Sequence, residues 1–246
     1  MSVQVNFVGS GDAFGSGGRF NTCILVDAPG IRFTIDFGAS SLIALNAQGI
    51  AHNSIDAVLL THIHGDHSAG IPFLLLDAML GARRDRPLTI AGPKNLKARL
   101  AEAAEVLFPG MDAMTPKFPI DFVELPVGET SEFLGLKATP FPAKHTWQTD
   151  PTALRVEVGG KVVTYSGDGD FTPELAEASR GADLFIAECY FHTKPIKWHL
   201  NYAAIQEHRE EFGAKRMILT HMSPEMLAVA DTVPEECAYD GLVVEL

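Results

Sequence analysis

The chain has little of what a membrane span, a secretion leader or a disulfide scaffold needs. No apolar run approaches the roughly 18 residues of a membrane-crossing helix. Met1-Ser2-Val3-Gln4-Val5 shows no basic region leading into an apolar core, so no signal peptide is expected. Cysteine is scarce: Cys23, Cys189 and Cys237 are odd in number, widely spaced and form no CxxC pair. They read as small core residues, and a reducing cytoplasm is the expected compartment. Positive charge is short as well. A net charge of −12 opposes attraction to a nucleic-acid backbone. The one dense basic group, Arg83-Arg84 with Arg86, is interrupted by Asp85 and reads as a solvated turn. Internal repeats, low-complexity tracts and linkers are missing too, so residues 1–246 read as one domain. That length buries a substantial core without staples.

What the chain does have is a concentration of metal-ligating side chains. Thr61-His62-Ile63-His64-Gly65-Asp66-His67 follows the apolar run Ala57-Val58-Leu59-Leu60. Neutral imidazole nitrogens and carboxylate oxygens are ligands for a zinc-like divalent ion. A strand end can fan such side chains toward one point, and functional residues favour loops at such ends.

Alternation and turn chemistry order the rest. Strands are expected over 3–8, 21–26, 31–37, 57–60, 88–91, 120–125, 132–141, 153–158, 162–165, 184–187, 217–219 and 242–244. Helices are expected over about 41–48, 68–80, 93–107 and 203–212, and from Thr172-Pro173 onward. The glycine-rich turn at Gly9, Gly11, Gly15, Gly17 and Gly18 is no nucleotide loop, because a strand and not a helix follows it. Consecutive strands followed by strands alternating with helices, a pattern occurring twice, predict two sheets packed face to face with helices outside.

One stretch does not close a metal site, so further ligands should also follow strands. His145 comes after Ala138–Phe141, Asp168 after the strand ending at Tyr165, and His221 after Met217-Ile218-Leu219-Thr220. Five histidines and two aspartates exceed the four ligands of a single zinc. They suit two ions roughly 3.5–4 Å apart. Asp168 is the natural bridge, because a carboxylate has two oxygens.

The order HxHxDH, His, Asp, His resembles the metallo-β-lactamase fold superfamily across the whole chain. The resemblance implies a four-layer αββα sandwich with a dinuclear site at one edge. It assigns His62, His64 and His145 to one ion, Asp66, His67 and His221 to the other, and Asp168 to both. Within the superfamily the chain is most similar to the ribonuclease Z and cyclic-phosphodiesterase branch. Phe7-Val8-Gly9-Ser10-Gly11-Asp12-Ala13 with Asn21-Thr22, then Phe33-Thr34-Ile35-Asp36-Phe37-Gly38, Ala187-Glu188-Cys189-Tyr190-Phe191 and Trp198-His199-Leu200-Asn201 carry that likeness. By that resemblance Glu188 and His199 form a catalytic pair, and the protein is a homodimer. The chain departs from the branch in lacking a long Gly/Pro-rich arm, in Gly169 after the bridging Asp, and in Trp198 and Asn201 around His199. These departures make tRNA 3′-processing a lower-ranked alternative that stands beside a non-catalytic metal-binding role.

The function expected is a hydrolase that uses two divalent ions, zinc or else manganese or iron, on a small or cyclic phosphodiester. The ions would supply hydroxide near neutral pH. His199, oriented by Glu188, would protonate the leaving alkoxide. Asp36 is a candidate to fix a ligand histidine's tautomer. Hydrolysis of another ester, a thioester or a lactone is the alternative, followed by a non-catalytic metal-binding protein. The partner expected is a small molecule, with neither nucleic acid nor membrane.

Overall fold

Strands with apolar residues on both faces must be covered on both, and that requirement shapes the molecule. The computed structural model describes residues 2–246. The chain first lays down β1 (Gln4–Gly9), β2 (Cys23–Ala28), β3 (Ile31–Ile35), β4 (Ala57–Leu59), β5 (Leu88–Gly92) and β6 (Ile120–Glu124). It then builds β7 (Ser131–Phe133), β8 (Leu136–Pro142), β9 (Thr152–Val158), β10 (Lys161–Tyr165), β11 (Leu184–Glu188), β12 (Met217–Thr220) and β13 (Glu236–Cys237) as a second sheet. The last strand, β14 (Leu242–Glu245), returns to the first sheet beside β1. Each sheet has an antiparallel portion and a parallel portion: β3 to β6 run parallel in one, and β10 to β13 in the other.

Period-two alternation sorts the side chains between cores. In β2, Ile24 and Val26 enter the core between the sheets, while Cys23 and Leu25 enter the outer one. In β4, Ala57 and Leu59 face inward and Val58 outward. In β11, Leu184 and Ile186 meet the other sheet, and Phe185 and Ala187 pack outward. Helices α1 (Ser41–Ala47), α2 (Gly65–Ser68), α3 (Gly70–Leu80) and α4 (Leu96–Leu107) belong to the first half of the chain. Of these, α1, α3 and α4 cover the first sheet through Leu45, Leu74 and Leu100. Helices α5 (Pro173–Ser179), α6 (Tyr202–Glu207) and α7 (Pro224–Leu227) cover the second through Leu175, Ile205 and Met226. The layers are therefore αββα. Leu59 is fully buried between the sheets, and Leu59→Ala would cost about 2–5 kcal/mol.

Local chemistry sets the boundaries. Pro173 opens α5, where its missing N–H costs nothing, and the Thr172 hydroxyl accepts from the Leu175 amide at 3.1 Å. Pro72 does not break its helix, because it falls in the first turn of α3. The stretch expected as one helix over 68–80 begins earlier and divides at Ala69 into α2 and α3. Other boundaries also differ from expectation. The strand expected over 132–141 is a hairpin turning at Leu134-Gly135, both at positive φ. The helix expected from Pro93 starts at Leu96, after a left-handed Asn95. The helix expected to reach 212 ends at Glu207. Among the described residues, no helix is long and apolar enough to cross a membrane.

Parallel strands leave ligand-competent positions at their carboxyl ends. In the first sheet β4 ends at Leu59, just before the histidine stretch. In the second, β10 and β12 end just before Asp168 and His221. Both sheets thus deliver polar side chains to one edge of the sandwich.

Candidate metal centre

Seven side chains from four stretches of the chain converge there in two groups. In the first, the Nδ1 of His64 lies 3.1 Å from the Nε2 of His62 and 3.1 Å from the Nε2 of His145. In the second, the Oδ2 of Asp66 lies 3.4 Å from the His67 Nε2 and 3.3 Å from the His221 Nε2. The Oδ1 of Asp168 lies 3.3 Å and 3.7 Å from the same two nitrogens. Ligands on one tetrahedral zinc, at about 2.0–2.1 Å each, are about 3.3 Å from one another. The separations in both groups fall near that value.

The donor chemistry also fits a cation. His67 Nε2 and Asp168 Oδ1 are buried and have no hydrogen-bond partner. Buried polar atoms are normally paired, and a divalent ion between them would pair both. The far nitrogens of the ligand imidazoles are held in turn. His67 Nδ1 meets Asp36 Oδ2 at 2.6 Å, His145 Nδ1 donates to the Trp198 carbonyl at 2.8 Å, and His62 Nδ1 lies 3.0 Å from the Thr61 hydroxyl. Such partners fix the tautomer that aims the other nitrogen at a metal. Asp36 is fully buried and also accepts from the Thr61 amide at 2.8 Å. Burial raises its pKa, against the pull of His67.

Glu188 closes the site from the second sheet. Its Oε2 accepts from the amides of Gly169 at 2.9 Å and Leu200 at 3.2 Å. Its Oε1 meets His199 Nδ1 at 2.5 Å and approaches His221 Nδ1 at 3.5 Å. Asp168, Glu188, His199 and His221 also lie close enough to hold an ion. Two backbone amides already engage one carboxylate oxygen of Glu188 and the other serves His199, which makes Glu188 an orienting group. Burial lowers the pKa of His199, but the hydrogen bond and charge of Glu188 outweigh it and the net shift is upward. His199 Nδ1 is 3.8 Å from Asp168 Oδ2, so the pair stands beside the carboxylate shared with the second group.

Electrostatics separate the two groups. Burial, with neighbouring imidazoles adding to it, lowers the pKa of His62 and His64. Burial has the same tendency at His67 and His221, but Asp168 and the nearby carboxylates reverse it and raise both well above the ordinary value. Asp66 and Asp168 are correspondingly held low by those imidazoles, despite burial.

Backbone geometry makes this density possible. Asp36, Trp198 and His221 all adopt left-handed φ, at 60°, 72° and 58°, a region that non-glycine residues rarely occupy. Such residues cluster at functional sites. Gly38 lets α2 pack close: a Cβ there would sit 2.1 Å from the Asp66 carbonyl oxygen. The cleft above the two groups has a volume of about 470 Å³. Its wall includes Phe14, Tyr190, Ile196 and Trp198, none of which the sequence marked as site residues. The substitution of Trp198 for glycine beside His199 was the one available signal.

Fold and donor set together define a metal-dependent hydrolase of the metallo-β-lactamase fold, and similarity to known proteins agrees. The fold matches that of the metallo-β-lactamase fold protein YhfI from Bacillus subtilis, with a TM-score of 0.79, 21% identity and all of both chains covered. It also matches a diphosphatase from the PhnP family, with a TM-score of 0.77, 19% identity, and 99% and 98% coverage. A ribonuclease Z from Lachnoclostridium phytofermentans is 27% identical, over 89% of this chain and 85% of its own. Residues 3–238 match the family described as Anti-Pycsar protein Apyc1, and the chain belongs to that family.

Proposed function

We propose that the protein is a phosphodiesterase acting on a small or cyclic phosphodiester. The observation that carries this reading is the placement of the Glu188–His199 pair beside Asp168, the carboxylate positioned to be shared by two ions. His62, His64 and His145 would hold one ion. Asp66, His67 and His221 would hold the other, with Asp168 between them. The donor set of imidazoles and carboxylates suits zinc, and also manganese or iron. When bound, such a pair supplies a nucleophile at neutral pH and neutralises charge on phosphoryl oxygens.

The protein's own groups complete the reaction. His199 has its Nδ1 committed to Glu188, so Nε2 is the nitrogen free to serve the cleft. An alkoxide leaving from phosphorus needs a proton, and a histidine kept charged by a carboxylate can give it one. A thiolate places far less demand on such an acid, so the pair disfavours the thioester reading. The relatives named as a ribonuclease Z and a diphosphatase point to phosphorus as well.

A substrate panel on protein loaded with zinc or manganese tests this. Turnover of bis(p-nitrophenyl) phosphate with no thioester or lactone hydrolysis is the expected result. Lactone or thioester hydrolysis without phosphodiester turnover would overturn it.

A further inference from the structure

Phe14 is 80% exposed, yet nothing about its loop is slack. The buried Asp12 carboxylate accepts from the Phe14 amide at 3.2 Å, the Ser16 amide at 2.9 Å and the Ser16 hydroxyl at 2.7 Å. The loop's two flanks are tied together and to the chain's far end. The Gly11 amide bonds the Phe20 carbonyl at 2.7 Å, and Asp240 accepts from the amides of Ser10 and Phe20. A phenyl ring is therefore held out over the cleft by a braced backbone, with its own chain offering no partner for the exposed face.

Its setting explains the arrangement. Phe14 shares the cleft with Asp66, Asp168 and His221 below, and with Ile196 and Trp198 along the rim. A cleft with a polar floor and an apolar wall orients a ligand that is charged at one end and apolar at the other. Trp198 is fixed by its carbonyl's bond to His145, and the Lys197 ammonium lies 4.2 Å from the centre of its ring.

Resting on the phosphodiesterase reading, we infer that Phe14 is a specificity-determining residue that stacks on a planar aromatic group carried next to the substrate's phosphorus, with Ile196 and Trp198 completing the apolar rim. Phe14 is not itself a candidate ligand and has no group that could transfer a proton. It selects among phosphoryl compounds by the group attached to them.

The test is calorimetric binding of phenyl-, cyclohexyl- and methylphosphonate to the metal-loaded protein and to Phe14→Ala and Phe14→Tyr. The wild type is expected to prefer phenyl over methyl by about tenfold, with cyclohexyl well short of phenyl. Phe14→Ala should bring the phenyl-to-methyl ratio near one, and Phe14→Tyr should keep it. A ratio unchanged by Phe14→Ala, or cyclohexyl binding as tightly as phenyl, would overturn the stacking role and leave the phosphodiesterase reading in place. If no phosphonate binds the wild type, the stacking role fails, while the phosphodiesterase reading is decided separately by the substrate panel.

Discussion

The two halves of the metal centre solve the problem of gathering ligands in opposite ways. His62, His64 and His145 form an all-imidazole group in which burial favours the neutral, ligand-ready form of His62 and His64. Asp66, His67, Asp168 and His221 interleave acids and bases, so that imidazolium charge can occupy the place of an ion. In the first group burial keeps His62 and His64 toward the neutral form, so little charge on those two is left unbalanced when no ion is bound. The second is internally paired when empty and must give up protons when filled. The difference teaches that one group is held by geometry and the other by charge balance.

The most severe way to break this arrangement is at the shared carboxylate. Removing a group outside the ligand set commonly costs about 10- to 100-fold. Asp168→Asn removes the proposed bridging ligand, so on the proposed activity phosphodiester turnover should fall on the order of a thousandfold or more. Metal analysis should show fewer than two ions per chain.

A paired substitution sharpens the contrast directly. His67→Ala leaves the fully buried Asp36 without its 2.6 Å partner. Breaking such a pair costs about 3–5 kcal/mol, so the melting temperature of the chelated protein should drop by roughly 10 °C. His64 is only half-buried, and His64→Ala should change that temperature by no more than about 3 °C while still lowering metal content. Equal losses for both variants would refute the distinction.

His199 stands on the carboxylate side, and its role can be separated from metal binding. His199→Gln should cut turnover of an alkyl phosphodiester about a hundredfold. It should cut turnover of a p-nitrophenyl ester much less, because p-nitrophenolate leaves without a proton. A uniform loss across leaving groups would place His199 in positioning only.

The smallest effect is a pH dependence. In the chelated protein the raised pKa values of His67 and His221 give stability that is complete below about pH 6.5, the unfolded value. It declines as pH climbs toward the raised native values. His199, also raised, acts with the same sign. His62 and His64, lowered in the fold, act with the opposite sign, and their proton difference fades about a unit above pH 6.5. Metal affinity moves the other way, because ligands must be deprotonated. The gap in melting temperature between metal-loaded and chelated protein should therefore widen by about 5 °C from pH 6.5 to 8. A gap that narrows would contradict the charge-balance account.

Much of the fold was legible because strands such as β4 and β11 are continuous apolar runs bounded by polar ligands and turns. The hairpin at Leu134-Gly135 was not, since an apolar leucine gives no sign that its φ will be positive. β13, of two residues, carries no periodicity to read. At the site, the histidine stretch and the recurrence of a His or Asp just after three later strands singled out all seven side chains that converge. The Glu188–His199 pairing rested on resemblance, because a strand-end residue and a loop residue 11 positions later have no spacing rule of their own. The carbonyl of Trp198 was invisible, as any residue has one. What matters there is the left-handed backbone that points it at His145.

That last contact has an optical consequence. The chain contains two tryptophans. One is bonded through its backbone to a candidate ligand, and the other, Trp147, opens the turn immediately beyond that same ligand. Both tryptophans are thus tied to His145 through the backbone, one by a hydrogen bond and one by adjacency in the chain. Trp198 lines the cleft while Trp147 is 76% exposed outside it, so the change in intrinsic emission on filling the centre is expected to come from Trp198, with Trp147 as a solvated background.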